Sequence, residues 1–159
     1  MQDIYHYLDS HHITYSRYDH PAVYTCEEAE LHCSDVPGIA CKNLFFRAGK
    51  GQRYYLVIAP AQLKTDIKHI TSLLGEKKLS FASAETLMEK LGLEPGSVSP
   101  FGLINDSEHT VLVAIATPVL QSDLVSFHPN TNTATLVLTQ EIFQQFLQSV
   151  ENEVVELPL

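Results

Sequence analysis

The stretch NLFFRAGKGQRYYLVIAP, residues 43–60, decides the fold. It contains two strand-like apolar runs, NLFFRA and RYYLVIAP, joined by the polar segment GKGQ. The glycines of this segment, Gly49 and Gly51, permit the positive backbone dihedrals of a tight turn. The stretch therefore predicts a β-hairpin.

Helices and strands are predicted on both sides of this hairpin. Upstream, helical spacing predicts an opening helix within residues 2–12, and YSRYDHP predicts a short strand closed by Pro21. The capping-box pattern TCEE at residues 25–28 predicts a second helix to about Cys33. The downstream predictions are a helix in LKTDIKHITSLLG (63–75), a strand in KLSFA (78–82), a helix in AETLMEKLG (84–92) capped by Ser83, a structured loop at 93–102, strands TVLVAIA (110–116), LVSFHP (124–129) and ATLVLT (134–139), and a closing helix QEIFQQFLQSV (140–150).

This order of elements predicts an α+β fold. Strands and helices are interleaved but include hairpins, which favours an antiparallel or mixed sheet over a doubly wound parallel one. A length of 159 residues, without repeats or a Pro- or Ser-rich linker, predicts one domain over residues 1–159. No apolar run is long enough to cross a bilayer and the N-terminus lacks a signal-peptide pattern, so we expect a cytoplasmic protein.

The cysteines and histidines favour neither a disulfide framework nor a metal site. The three cysteines, Cys26, Cys33 and Cys41, are separated by six and seven residues, which does not match zinc-site spacing. An odd number of cysteines without a secretion signal argues against disulfides. There is no HExxH pair, so we expect no metal and no cofactor.

Charge is divided unevenly along the chain. The net charge is −9, but residues 42–90 carry nine cations against four acids, whereas residues 1–41 and 91–159 are acidic. A basic face on an acidic body suits a polyanionic partner, although lysine-rich segments are more often solvated surface.

Three polar features lie where side chains or amides could act chemically. Lys42 and Asn43 enter the first hairpin strand, the loop GSVSPFG follows a helix, and His128 follows a strand in SFHPN. A half-buried lysine can bind phosphate, loop amides can hold an oxyanion, and histidine can accept a proton. Each feature taken singly also has a plain structural explanation: a strand-end lysine, a turn and an edge histidine.

In combination these features resemble a known family. The blocks HPAVYTCEEA (20–29), CKNLFFRAGKGQRYYLVIAP (41–60), LGLEPGSVSPFGLIND (91–106) and FHPNTNTATLVLT (127–139) resemble the YbaK/ProX family of freestanding aminoacyl-tRNA editing domains, in its ProX-type branch. The resemblance implies a mixed, partly barrel-like antiparallel sheet with surrounding helices. It also implies hydrolysis of the ester between an amino acid and the 3′-terminal ribose of tRNA, most of all of mischarged alanyl-tRNA(Pro).

The family pattern also implies the site residues. Lys42 is the residue most needed for activity, and Asn43 and His128 are catalytic-site residues beside it. The implied substrate-binding loop consists of Gly96, Ser97, Val98, Ser99, Pro100, Phe101 and Gly102. For tRNA binding we expect the basic residues of the middle segment, namely Lys50, Arg53, Lys64, Lys68, Lys77 and Lys78.

The implied partners are aminoacyl-tRNA, with tRNA(Pro) foremost, and prolyl-tRNA synthetase; no membrane is expected. Three other interpretations stay open at this point. The protein could remove cysteine from tRNA(Pro), or it could be a noncatalytic module that binds tRNA or a synthetase. Without the resemblance, the residues alone support a small-molecule-binding α+β domain.

Overall fold

The computed structural model describes residues 3–22, 36–49 and 53–159. The strands are β1 (Ser16–Asp19), β2 (Ile39–Ala48), β3 (Arg53–Pro60), β4 (Leu79–Phe81), β5 (Val111–Ala116), β6 (Leu124–Phe127), β7 (Ala134–Thr139) and β8 (Val154–Leu157). The helices are α1 (Ile4–Ser10), α2 (Ile67–Leu73), α3 (Ala84–Leu91), α4 (Thr117–Leu120) and α5 (Gln140–Val150), with a 3₁₀ helix over Pro100–Asn105.

The strands form one mixed sheet with the order β1-β7-β6-β2-β3-β5-β8, and β4 is attached to β2. The predicted hairpin is confirmed, because β2 and β3 pair antiparallel with Phe45 opposite Leu56. The pairs β1–β7, β6–β7 and β2–β4 are antiparallel, whereas β2–β6, β3–β5 and β5–β8 are parallel. The predicted α+β class, with a mixed sheet and surrounding helices, is confirmed.

Both faces of the central hairpin are covered. Successive side chains of a strand point to opposite faces, so Cys41 and Phe45 contact the larger apolar core while Leu44 and Phe46 contact a smaller cluster that includes Ile70 of α2. A strand buried on both faces needs a continuous apolar run rather than an alternating one, which explains the composition of β3.

Helix ends follow local capping chemistry. The Ser83 hydroxyl accepts a hydrogen bond from the amide of Thr86 at 3.1 Å, and α3 ends at Gly92 in the left-handed conformation. Both ends of this helix agree with the sequence prediction. The predicted helix over residues 63–75 begins later than expected, because Asp66 is the cap and accepts from the amide of Lys68 at 2.9 Å.

Other boundaries also differ from the predictions. α1 ends at Ser10, and His12, which was predicted to be helical, has a φ of 57°. The helix over residues 140–150 is confirmed but is not the last element, because β8 follows and pairs with β5. The second half of the predicted loop at 93–102 forms the start of the 3₁₀ helix.

Two predictions fall on residues outside the described ranges. These are the helix from residue 25 to about Cys33, with Cys26, and the tip of the hairpin with Lys50 and Gly51. None of the helices found in the described ranges combines the length and apolar character that spanning a membrane requires.

Candidate active site

The strand β2 changes partners along one of its edges. On the edge opposite β3, Ile39 and Ala40 pair with β6, and Phe46 to Ala48 pair with β4. Between these pairings, residues 41–44 have no strand partner on that edge within the described part of the chain. We call this unpaired edge the notch. It exposes backbone and side chains of β2 between the end of β6 and the start of β4.

Lys42 lies in the notch. Its side chain is half-buried, and its ammonium donates a hydrogen bond to the backbone carbonyl of Leu63. No carboxylate of the described residues forms an ion pair with Lys42. A positive charge that is partly withdrawn from water, and contacts only a neutral dipole, remains available to an anion.

Asn43 faces the other side of the strand. It stands opposite Ile58 of β3, whose side chain belongs to the larger core. The side-chain carbonyl oxygen of Asn43 is buried and accepts no hydrogen bond from the described residues. An unsatisfied buried acceptor costs about 1–3 kcal/mol, so this oxygen would gain from a ligand that brings a donor.

His128 follows β6, at the end of the notch where β2 stops pairing with β6. The parallel register pairs Ala40 of β2 with Ser126 of β6, so Lys42 and His128 each follow the last β2–β6 pairing by two residues. His128 Nδ1 lies 3.0 Å from the carbonyl oxygen of Ala134. A carbonyl only accepts, so Nδ1 carries the proton and Nε2 is the free acceptor of the neutral ring.

Burial lowers the pKa of His128 below its usual 6.5, and nearby His20 acts in the same direction, while the Ala134 hydrogen bond opposes them. The imidazole is therefore neutral at pH 7. A neutral histidine with an acceptor nitrogen can orient a water molecule or take a proton from it.

The structure adds a second histidine that sequence reasoning did not single out. The rings of His20 and His128 have centroids 5.9 Å apart. His20 is held by the Pro21 carbonyl at Nδ1 (2.9 Å) and by the Thr135 hydroxyl at Nε2 (2.7 Å). His20 opens the motif HPAVYTCEEA, but a lone histidine before a proline carries no signal that distinguishes a site residue from a turn.

The loop over residues 96–102 divides into two halves. In the outer half, Gly96 is exposed with a φ of 92°, and Ser97 and Val98 are half-buried. The positive φ at Gly96 favours glycine there. The Ser97 amide already donates to the carbonyl of Glu94 at 3.0 Å, so it is satisfied within the loop.

The inner half belongs to the core. The fully buried Ser99 hydroxyl accepts from the amide of Phe101 at 3.1 Å and starts the 3₁₀ helix at Pro100. Phe101 packs edge-on against Phe146, with ring centroids 5.2 Å apart. A Cβ on Gly102 would lie 2.6 Å from the Leu93 side chain. These four loop residues, Ser99 to Gly102, therefore fix the shape of the loop, and the outer half is its accessible part.

The basic residues expected to bind tRNA occupy different surroundings. Arg53 forms an ion pair with Glu76 at 3.0 Å. Lys64 is exposed in the segment between β3 and α2. Lys68, Lys77 and Lys78 line a cavity of about 390 Å³ on the α2 side of the sheet. Lys50 lies outside the described residues.

Nucleophilic and metal chemistry find little support in the described ranges. Burial raises the pKa of the Cys41 thiol to about 12, so this neighbour of Lys42 stays protonated and inert. The described residues contain no cluster of three or more His, Cys, Asp or Glu side chains suited to a metal ion. The arrangement instead suits binding an anion and activating a water molecule.

Comparison with known proteins agrees with this chemistry. The family model for the aminoacyl-tRNA editing domain matches residues 20–146. The chain is 39% identical over 145 residues to the prolyl-tRNA editing protein ProX of Acetoanaerobium sticklandii, covering 91% of this chain and 88% of that protein. It is 31% identical over 90 residues to a proline–tRNA ligase of Bacillus velezensis, covering 57% of this chain but only 16% of the ligase.

Solved structures share the fold. A crystal structure described as that of a proposed trans-editing enzyme for prolyl tRNA synthetase superposes with a TM-score of 0.69 at 22% identity, covering 96% of this chain and 92% of that one. A crystal structure of a hypothetical protein superposes with a TM-score of 0.74 at 17% identity, covering 98% of both chains. With the family model matching most of its length, the chain belongs to the aminoacyl-tRNA editing domain family, as a YbaK/ProX member.

Proposed function

We propose that this protein is an aminoacyl-tRNA deacylase that removes a wrong amino acid from tRNA(Pro), with alanine as the most fitting one. The observation that carries the proposal is Lys42: a half-buried cation at an open strand edge, with a backbone carbonyl as its partner. The neutral His128 follows β6, the strand that pairs with β2 just before this edge. The similarity to an editing protein named ProX supports the substrate class.

Lys42 holds the nucleic-acid end of the substrate. Its ammonium exchanges the Leu63 carbonyl for the 3′-terminal phosphate or ribose oxygens of the tRNA. The ionic contact offsets the desolvation of the lysine and fixes the ester bond in the notch. Positioning of this kind supplies a large part of the acceleration that an activated ester needs.

His128 and Asn43 act on the aminoacyl end. The acceptor nitrogen of His128 orients a water molecule, whose oxygen bonds to the ester carbonyl carbon while the bond to the ribose oxygen breaks and that oxygen takes up a proton. The unsatisfied carbonyl oxygen of Asn43 accepts from the α-ammonium of the amino acid. The amide of Val98, in the accessible half of the loop, stabilises the negative charge that develops on the carbonyl oxygen.

Selection among amino acids rests on size. A pocket that fits alanine excludes proline by steric conflict, but it discriminates weakly against side chains that differ from alanine by one small group, since such a group is worth about 1–3 kcal/mol. Glycyl and seryl esters are therefore expected to be hydrolysed to some extent, and the prolyl ester only slowly. Because mischarged tRNA(Pro) is produced during tRNA charging, we expect the protein to work in the cytoplasm alongside prolyl-tRNA synthetase. We expect it to do so as a single domain.

The decisive experiment is a deacylation panel with tRNA(Pro) charged separately with Ala, Cys, Ser and Pro. Multiple-turnover release of alanine, faster than release of cysteine and much faster than release of proline, is expected. Faster cysteine release would move the protein to the cysteine-removing branch. The absence of turnover with every ester would make it a noncatalytic tRNA- or synthetase-binding module and overturn the proposal.

A further inference from the structure

Phe81 is an exposed aromatic side chain next to the notch. It lies in β4 opposite Phe46 of β2, and 58% of its surface is accessible to solvent. Its ring contacts the fully buried ring of Phe46, with centroids 4.8 Å apart. The buried ring of Phe46 therefore packs against the inner part of the Phe81 ring, and the outer part of the Phe81 ring is open to a partner.

The same strand borders the cavity lined by lysines. Leu79 lines this cavity, and Leu79 and Phe81 point to the same face of β4 because they are two residues apart. The cavity of about 390 Å³ is lined by Lys68, Lys77 and Lys78, together with Ser72 and Thr71. An open aromatic ring and a group of cations thus share one stretch of surface.

The acid in the lining of this cavity is engaged by residues other than the cavity lysines. Glu76, the acid in the lining, is occupied by the Arg53 guanidinium and the Tyr55 hydroxyl. Burial raises the pKa of Tyr55 to about 12, so the hydroxyl remains a donor to Glu76. Within the described part of the chain, no ion pair involves Lys68, Lys77 or Lys78.

Lys42 lies on this same face of β2, four residues from Phe46. Strand geometry sets that separation at roughly 13 Å. A short unpaired segment of a few nucleotides spans such a distance. The alignment matters because proteins bind single-stranded nucleic acid by stacking bases on aromatic rings beside a basic groove.

We infer that Phe81 is a stacking platform for a base of the unpaired 3′ end of tRNA, one that precedes the aminoacylated terminal nucleotide held at Lys42. The neighbouring phosphates then lie over the cavity lysines. This inference rests on the proposed function, since that function supplies the nucleic acid. The base contact on β4 is separate from Lys42, His128 and the loop residues. With this contact, the 3′ end of the tRNA lies along the α2 face of the sheet.

The test compares four proteins: wild type, Phe81→Ala, Phe81→Tyr and Met88→Ala. Met88 is a matched control because it is also an exposed apolar side chain, at 38%, but lies on α3 and not in the cavity lining. Phe81→Ala is expected to raise KM for alanyl-tRNA(Pro), and Kd for uncharged tRNA(Pro), about 5- to 100-fold. Phe81→Tyr keeps the stacking ring and, like Met88→Ala, stays within about twofold of wild type.

A substrate with an abasic site completes the design. If a base stacks on Phe81, removing that base from the 3′ end weakens binding to the wild type, and Phe81→Ala then adds no further loss. Unchanged Kd and KM in Phe81→Ala would overturn the inference. Hydrolysis of alanyl-tRNA(Pro) by the wild type in the same experiment would still support the proposed function. A wild type that hydrolyses no aminoacyl ester would overturn the proposed function instead. A loss confined to binding of prolyl-tRNA synthetase would reassign Phe81 to a protein interface and also overturn the inference.

Discussion

The ammonium of Lys42 donates to the backbone carbonyl of Leu63 and forms no ion pair with a carboxylate of the described chain. One hydrogen bond between a charged ammonium and a neutral carbonyl contributes about 1.5–3 kcal/mol to folding. The lysine is therefore held in place without being neutralised. This separates its expected contribution to activity from its expected contribution to stability.

The first prediction concerns substitution of this lysine. Lys42→Met is expected to lower single-turnover deacylation of alanyl-tRNA(Pro) about 100-fold or more, because the substrate loses its main charged anchor at the site. The free energy of unfolding should change by no more than about 3 kcal/mol. Rapid-quench kinetics and urea unfolding measure the two effects.

Lys64→Met is the matched control for that variant. Lys64 is an exposed lysine just after β3, and its loss should change the deacylation rate far less than loss of Lys42. Near-wild-type activity of Lys42→Met, or equal losses in the two variants, would remove Lys42 from the mechanism.

The second prediction concerns pH. The pKa of His128 lies below 6.5 in the folded protein, so its imidazole stays neutral as the pH falls through 6.5. The acidic limb of the kcat/KM profile is therefore expected to inflect below pH 6.5. His128→Gln should lower kcat and abolish this limb, and an inflection at or above pH 6.5 in the wild type would contradict the role of the neutral ring.

The same shift has a consequence for stability. Below pH 6.5 the unfolded chain binds a proton at residue 128 before the folded chain does, so the free energy of unfolding falls with falling pH. The decline stops once the pH passes the lower folded-state pKa. Urea unfolding between pH 7.5 and 5 gives the free energy of unfolding at each pH. This free energy should fall less steeply with falling pH in His128→Gln than in the wild type, and an identical pH dependence would exclude the lowered pKa of His128.

Much of the fold follows from local sequence signals. The hairpin of β2 and β3 was predictable because apolar runs flank a glycine-rich turn, and α3 because Ser83 and Gly92 mark its ends. The strand β8 was missed, since four residues at a sheet edge show no periodicity. Its pairing with β5 is a tertiary contact that only the assembled sheet supplies.

Sequence motifs single out candidate site residues, but they do not give the geometry of the candidate site. The motifs name Lys42 and His128, yet the parallel pairing of β2 with β6, the strand that His128 follows, is a tertiary contact that no local pattern encodes. The opposite orientation of Asn43 follows from strand alternation once the strand is known. The burial of Phe101 in the core could not be read from a loop sequence rich in glycine, proline and serine.

A third prediction concerns Asn43, whose buried carbonyl oxygen has no hydrogen-bond donor within the part of the chain that the structure describes. Asn43→Ala is expected to reduce deacylation about tenfold, or more, by removing an acceptor for the α-ammonium, and to leave stability unchanged or raise it by up to about 1 kcal/mol. In Asn43→Ala, kcat/KM should therefore fall while the melting temperature stays the same or rises.

Asn152 provides the contrast. It is buried, and its amide nitrogen donates to Asp106 at 2.9 Å and to the Val111 carbonyl at 2.8 Å. Asn152→Ala should cost about 2–3 kcal/mol of stability, because it removes a buried donor from the Asp106 carboxylate and from the Val111 carbonyl, while activity per folded molecule is retained. If Asn43→Ala behaved like Asn152→Ala, Asn43 would be a structural residue and not a substrate contact.

The last prediction concerns the shape of the loop. Gly102 has no room for a side chain, since a Cβ would lie 2.6 Å from Leu93 and 3.0 Å from both the Cβ and the carbonyl oxygen of Leu91. Gly102→Ala is expected to destabilise the protein by about 1–3 kcal/mol through overpacking, and to raise KM by displacing the outer loop that carries Val98. Ser97→Ala is the control, because the Ser97 amide that donates to Glu94 is kept and its half-buried side chain leaves the core untouched. Calorimetry and steady-state kinetics measure both effects, and a Gly102→Ala protein with wild-type melting temperature and KM would show that the contact with Leu91 and Leu93 relaxes without moving the loop.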